Sequence, residues 1–337
     1  MSAPRLVLLL LVAVLCCSVL SPVLADDVLT VYSGRNESLI GPILAQFTAD
    51  TGIETEVLYG GTSAVANQIL TEGENSPADV FIAQDGGALG ALAAADMLHK
   101  LPDATIARVA DAAFVSPDGV WTGLSGRARV FVYSPESLAE HGLELPDSIL
   151  DLTGEEWNRL VGWAPTNASF VANVTAMRVL LGEEETAGWL ADMIANGAQA
   201  YPKNTPIVQA TIDGEVVGGL VNHYYLFRFL AEDPDITATL HFFPGGDLGS
   251  LINIAGAAIL KSTDQPYDAL ALVDYLLSDM AQEYFAQTTY EYPLVATVDP
   301  SVDLPALADI ETPEIDLSDL ADLQSTLTMI EESGALD

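Results

Sequence analysis

The stretches Asp27–Gly34 (DVLTVYSG), Ile53–Gly61 (IETEVLYGG) and Ala78–Gly87 (ADVFIAQDGG) decide the fold. Each is a short apolar, β-branched or aromatic run that ends in a glycine turn, the signature of a strand. Between them, 37–52 and 62–74 carry apolar residues at helical spacing. The first of these closes at Gly52, and the second opens at Thr62 or Ser63, the predicted N-cap. The alanine-rich run 88–97 reads as a third helix. Strand, helix, strand, helix, strand, helix is the pattern of a doubly wound unit with a mainly parallel sheet.

Working outward, a second unit of the same style starts after Gly123–Ser134 (GLSGRARVFVYS). It runs through RLVGWAPTN, the helical stretches 170–182 and 186–197, and the apolar strand VVGGLV at 216–221. The run 252–261 reads as another buried strand, 268–286 as an amphipathic helix, and 317–337 as a closing helix. The predicted class is α/β, with two doubly wound lobes joined by crossing strands and a ligand cleft between them. The expected division is 26–128 plus 255–303 for the first lobe and 129–254 plus 304–337 for the second.

Residues 1–25 read as a signal peptide: Arg5, an apolar run from Leu6 to Leu15, and Val23-Leu24-Ala25 before two aspartates. Acylation at Cys16 or Cys17 is the second reading, since Leu15 and Cys16 are not the small residues expected before an acylated cysteine. The product is expected outside the cytoplasm and not as an integral membrane protein. Both cysteines lie in this segment, so a mature chain has no disulfide, thiolate metal site or cysteine nucleophile. The net charge is −37, with the acidic residues scattered through the chain. Such a surface repels nucleic acid and anionic lipid, and it suits a source living in high salt.

The segment Asn222-His223-Tyr224-Tyr225-Leu226-Phe227-Arg228 follows the VVGGLV strand. Two adjacent phenols at a strand end, where a helix begins, lie where open α/β sheets bind ligands. Two readings fit the pair: aromatic packing at a corner, or two oxygen donors for a hard cation such as Fe(III) once the phenols ionise. Neighbours in a strand point to opposite faces, so both can reach one metal only if the strand has ended. His99, His141 and His241 stand alone, without zinc spacing, and His223 reads as orienting or structural. There is no G-x-S-x-G elbow, P-loop or G-x-G-x-x-G after a strand, so an exported hydrolase has no support.

Four stretches, VYSGRNE (31–37), SPADVFIAQD (76–85), GLSGRARVFVYS (123–134) and VNHYYLFR (221–228), resemble the ferric-iron-binding proteins of bacterial ABC importers. WAPTNASF, YPKNTPIVQA and EYPL follow in the same order, so the resemblance spans the chain beyond the signal segment. It implies a type II periplasmic-binding-protein fold, no enzyme activity, a monomer, and delivery of Fe(III) to an ABC permease. It implies Tyr224 and Tyr225 as iron ligands. Where some relatives place histidine, or histidine then tyrosine, this chain has Asn36 and Glu37. Gln84 stands where others use glutamate, and Phe170 falls near another member's tyrosine. The expected site is therefore two phenolates completed by carbonate or phosphate, with Glu37 and then Asn36 as lesser candidates. The anion is expected on Arg35, Asn167, Ser169, Asn204 and Asn222, with Arg127, Arg228 and Gln84 in support. The alternative solute is an oxyanion or phosphonate bound without metal.

Overall fold

The computed structural model describes residues 28–336, so the signal-peptide and cysteine readings lie outside the described residues. In chain order the first strands and helices are β1 (Leu29–Ser33), α1 (Glu37–Thr51), β2 (Thr55–Tyr59), α2 (Thr62–Glu72), β3 (Val80–Ala83) and α3 (Gly86–Ala94). After α4 (Asp103–Ile106) comes the long strand β4 (Thr122–Tyr133), then α5 (Pro135–Glu140), β5 (Val161–Trp163), α6 (Ala168–Leu181) and α7 (Glu183–Ala195). The chain continues with β6 (Gln199–Ala200), α8 (Asn204–Ile212), β7 (Gly218–Asn222), α9 (Tyr224–Glu232) and β8 (Thr239–His241). It closes with β9 (Ile252–Ile259), α10 (Pro266–Leu276), α11 (Asp279–Thr288), β10 (Tyr292–Pro293) and α12 (Leu323–Glu332).

The strands follow the path β2-β1-β3-β9-β4-β7-β5-β6, with β10 and β8 also on β4. The two ends are parallel, as the helix-separated strands predict: β2-β1-β3 on one side and β7-β5-β6 on the other. The middle differs from the mainly parallel expectation. β9 runs antiparallel to β3 and β4, and β4 runs antiparallel to β7. The cause is β4 itself: residues 122–128 pair with β9, and residues 129–133 pair with β7. One strand thus serves both halves of the sheet, and it changes partners at Ala128-Arg129.

α2 begins at Thr62 itself, with Gly61 as its N-cap, so neither Thr62 nor Ser63 caps it. Thr62 is used differently. Its hydroxyl donates to the Gly34 carbonyl at 3.1 Å and accepts from the Gln84 amide at 3.3 Å. That stitches together the loops that leave β1 and β3. A side chain at Gly34 would collide with Thr62, which explains the glycine there.

The closing segment contains a 3-10 turn (Leu317–Ala321) before α12. The turn lies on the small-residue face of α3, where a Cβ at Gly86 or Gly90 would come within 2.7 Å of Leu317 or Ser318. The alanine-glycine character of α3 is thus a consequence of backbone packed on backbone. α12 instead sits on α6, with Thr326 hydrogen bonded to Thr175 at 2.8 Å and Arg178 reaching Asp322 at 3.1 Å. The described part of segment 304–337, a segment expected wholly with the second lobe, therefore spans both halves of the sheet. No helix of the described residues is long and apolar enough to cross a membrane.

Candidate metal centre

β7 ends at Asn222, His223 turns into helical backbone (φ −52°, ψ −41°), and α9 starts at Tyr224. The alternation of a strand no longer applies at the pair, so both phenols reach the same side. Their ring centroids are 4.5 Å apart with planes inclined by 30°. Tyr224 is 2% exposed and Tyr225 is half-buried. Burial, and then the neighbouring Tyr225, pushes the Tyr224 phenol well above its ordinary range, so without a cation it stays protonated.

Both tyrosines open into a cleft of about 410 Å³. On the same side the start of α6 contributes Asn167, Ala168 and Ser169. Facing them are the ends of the first three strands: Arg35 to Glu37 after β1, Tyr59 to Thr62 after β2, and Gln84 after β3. The cleft thus lies at the carboxyl edge of the parallel strands, where this architecture binds ligands. Among the described residues no three His, Cys, Asp or Glu side chains form a group able to hold a metal. The groups lining the cleft that can present anionic oxygen are the phenols of Tyr59, Tyr224 and Tyr225 and the Glu37 carboxylate, a donor set suited to a hard cation.

Guanidinium groups surround the pair. Arg228, one turn along α9, stands 5.4 Å from the Tyr224 centroid and 5.5 Å from that of Tyr225. Arg129 donates to Asn222 Oδ1 at 3.2 Å, while its Nε and Nη2 have no partner. Burial pulls Arg129 down to about 10, against the attraction of both tyrosines. Arg127 is 2% exposed with Nε and Nη1 unpartnered, and burial lowers it too. Positive charge behind two phenols favours their ionised forms, while it repels a bare cation and so suits one that arrives with an anion.

Several expected roles change. Arg35 lines the cleft with its Nε unpartnered, but both of its terminal nitrogens are already engaged inside the protein. Its Nη2 is 2.6 Å from Glu291 Oε2 and its Nη1 donates to Ser125 at 3.0 Å, in a pair whose side chains are 0% and 1% exposed. Burial works to raise the Glu291 carboxyl, but Arg35 holds it below its usual range. Asn222 is also fully committed: it accepts from Arg129 and donates to Ser169 Oγ at 2.9 Å and Tyr224 Oη at 3.3 Å. It positions the tyrosine and leaves nothing for an anion. Asn204 is fully buried and absent from the cleft lining, with both amide atoms unpartnered. Asn167 caps α6 by accepting from the Ser169 amide at 3.0 Å. Asn36, Glu37, Gln84 and Ser169 do line the cleft, and Gln84 Oε1 is buried without a partner. Phe170 is fully buried against Trp163 and Trp189, so a ligand role there is closed.

Two features escaped sequence reasoning. Tyr59 reads in the sequence only as part of a strand that ends at Gly60-Gly61, and the structure sets it on the cleft. Glu291 belongs to the EYPL motif, but its partner lies 256 residues away. His223 is fully buried; its Nδ1 accepts from the Ala128 amide at 3.1 Å and its Nε2 lies 2.8 Å from the Tyr290 carbonyl. Burial lowers it to about 4, so it stays neutral and holds α9 to the point where β4 changes partners.

Comparison with known proteins gives the family. The family described as bacterial extracellular solute-binding protein matches residues 75–320. The major ferric iron-binding protein of Neisseria meningitidis is 33% identical over 317 residues, 93% of this chain and 94% of that one. The Fe(3+)-binding periplasmic protein of Serratia marcescens is 31% identical, covering 93% and 92%. Among solved structures, iron-bound HitA from Pseudomonas aeruginosa superposes with a TM-score of 0.84 at 32% identity, covering 91% of this chain and 99% of that one. With two α/β sheet halves, a cleft at their strand ends and relatives along nearly its whole length, the chain belongs to the bacterial extracellular solute-binding proteins.

Proposed function

We propose that this chain captures Fe(III) outside the cytoplasm and delivers it to an ABC permease, using Tyr224 and Tyr225 as phenolate ligands. The observation that carries the reading is the vicinal pair at one wall of a polar cleft, backed by Arg127, Arg129 and Arg228. Fe(III) prefers anionic oxygen, and it is acidic enough to displace phenol protons near neutral pH. Relatives named for ferric iron, one of them for a periplasmic location, support the same solute and compartment. A signal peptide over 1–25 and a monomeric mature protein complete the proposal. The proposed lobes are 26–128 plus 255–303 and 129–254, with the closing segment from residue 304 strapped over both.

Two phenolates leave most of the coordination sphere open. Carbonate or phosphate fills it, seated at the first turn of α6 beside Ser169, with Glu37 as a protein donor from the facing wall. The unpartnered Nε of Arg35, with Asn167 and Ser169 on the facing wall of the same cleft, favours a second reading, an oxyanion solute without metal. Metal analysis and an absorption spectrum of the protein separate the two. Iron with a visible phenolate-to-iron band supports the first reading, and a colourless protein that binds phosphate equally well with and without iron supports the second.

A further inference from the structure

We propose that Tyr59 is a third phenolate donor, supplied from the wall that faces Tyr224 and Tyr225; this rests on the ferric reading above. The first-sheet side of the cleft offers few groups that suit Fe(III). Asn36 and Gln84 are neutral amides, Arg35 is a cation already paired with Glu291, and the Thr62 hydroxyl is bonded to Gly34. Only Glu37 and Tyr59 can present anionic oxygen there.

The backbone delivers Tyr59 to this place. It is the last residue of β2 and pairs in register with Ser33, the last residue of β1. The Gly60 amide donates to the Ser33 carbonyl at 3.0 Å, which closes the ladder before the chain turns into α2. Tyr59 is therefore held at the carboxyl edge, and its side chain lines the same cleft as the tyrosine pair. It is 36% exposed. The phenols of Tyr32, Tyr201, Tyr275, Tyr284 and Tyr292 are each hydrogen bonded. The Tyr59 hydroxyl has no partner among the described residues, so it turns toward a ligand at no cost in hydrogen bonds.

Gly41 explains how the phenol is accommodated. A Cβ there would stand 3.3 Å from the Tyr59 hydroxyl and 3.3 Å from Glu37 Cγ. The missing side chain lets phenol and carboxylate share one spot on α1, where both face the cleft. A phenol is protonated at neutral pH, so Tyr59 gives up its proton only when a cation arrives. On binding, each phenol releases its proton to solvent as its oxygen bonds the metal. Three tyrosines release three protons.

The test loads the full mature chain with ferric nitrilotriacetate and bicarbonate, for wild type, Tyr59→Phe and Tyr59→Glu. The expected result for Tyr59→Phe is a charge-transfer band weaker by about one third per iron, one proton fewer released, and release at about tenfold less citrate. Tyr59→Glu, which restores an anionic oxygen, recovers citrate resistance while keeping the weaker band. A coloured wild type with Tyr59→Phe unchanged in band, protons and citrate resistance overturns the proposal and leaves the ferric reading standing. A colourless wild type overturns the ferric reading itself. Because the Tyr59 hydroxyl makes no hydrogen bond, Tyr59→Phe is expected to melt with wild type, and circular dichroism checks that both variants are folded.

Discussion

Replacing Glu291 by glutamine should unfold the protein about 5–8 °C earlier. Arg35 and Glu291 meet at 2.6 Å with 0% and 1% of their side chains exposed, and no water reaches the guanidinium if the carboxylate charge is lost. Breaking a buried pair by removing one charge costs about 3–5 kcal/mol. Arg127, also buried and short of partners, adds like charge beside Arg35 and places the cost toward the upper end. At roughly 0.6 kcal/mol per degree for a chain of this size, that loss gives the stated shift. The assay is thermal and urea unfolding of the metal-free protein, with Arg35→Met and Glu291→Leu combined as a control that removes both charges and restores most of the loss. A second readout follows from the sign of linkage. Arg35 holds the folded Glu291 carboxyl below its unfolded range, so the unfolded chain takes up that proton first as pH falls. Wild type should lose this contribution as pH drops below about 4.5 and through the lower folded value, whereas Glu291→Gln should not. A Glu291→Gln variant destabilised by less than about 1 kcal/mol would refute the buried pair and return Arg35 to the anion.

Three further outcomes are expected. Because the Tyr224 phenol is raised by burial and must lose its proton to bind, ferric affinity measured against a citrate buffer should rise at least about 100-fold per pH unit between pH 5 and 7; a slope under tenfold contradicts a two-phenolate site. Gly87→Ala should destabilise by about 1–3 kcal/mol in urea, since its Cβ would overlap the Leu320 backbone in the turn that straps α3; a neutral result would mean that the strap is loose. With a net charge of −37 and only five ion pairs among the described residues, raising salt from about 0.1 M to 1 M should raise the unfolding midpoint. A fall would show that attractive pairs outweigh repulsion.

Much of the fold was legible because its signals are local. The glycine-ended apolar runs of β1, β2 and β3 and the helical spacing between them need no knowledge of distant partners. The antiparallel centre was not legible, because β4 and β9 meet across more than a hundred residues and nothing nearby sets their direction. The tyrosine pair stood out as two phenols at a strand end, and its surroundings follow from β7 stopping at Asn222. Arg35 misled because a strand-end arginine looks available until its partner 256 residues away is known. Likewise the small residues of α3 read as ordinary helix filler, and only the turn at Leu317–Ala321 gives them a reason. Tyr59 was hidden by its strand's alternation: the final residue of an edge strand carries no mark of which wall it joins.

The most direct test of ferric capture is the visible spectrum of the protein after Fe(III) and bicarbonate are added. The wild type should turn coloured with one iron per chain, and Tyr224→Phe combined with Tyr225→Phe should lose most of the band and bind iron at least about 100-fold more weakly, as expected when two anionic ligands are removed. A wild type that stays colourless, or a double variant as coloured and as tight as wild type, would contradict the assignment of the pair as the iron ligands.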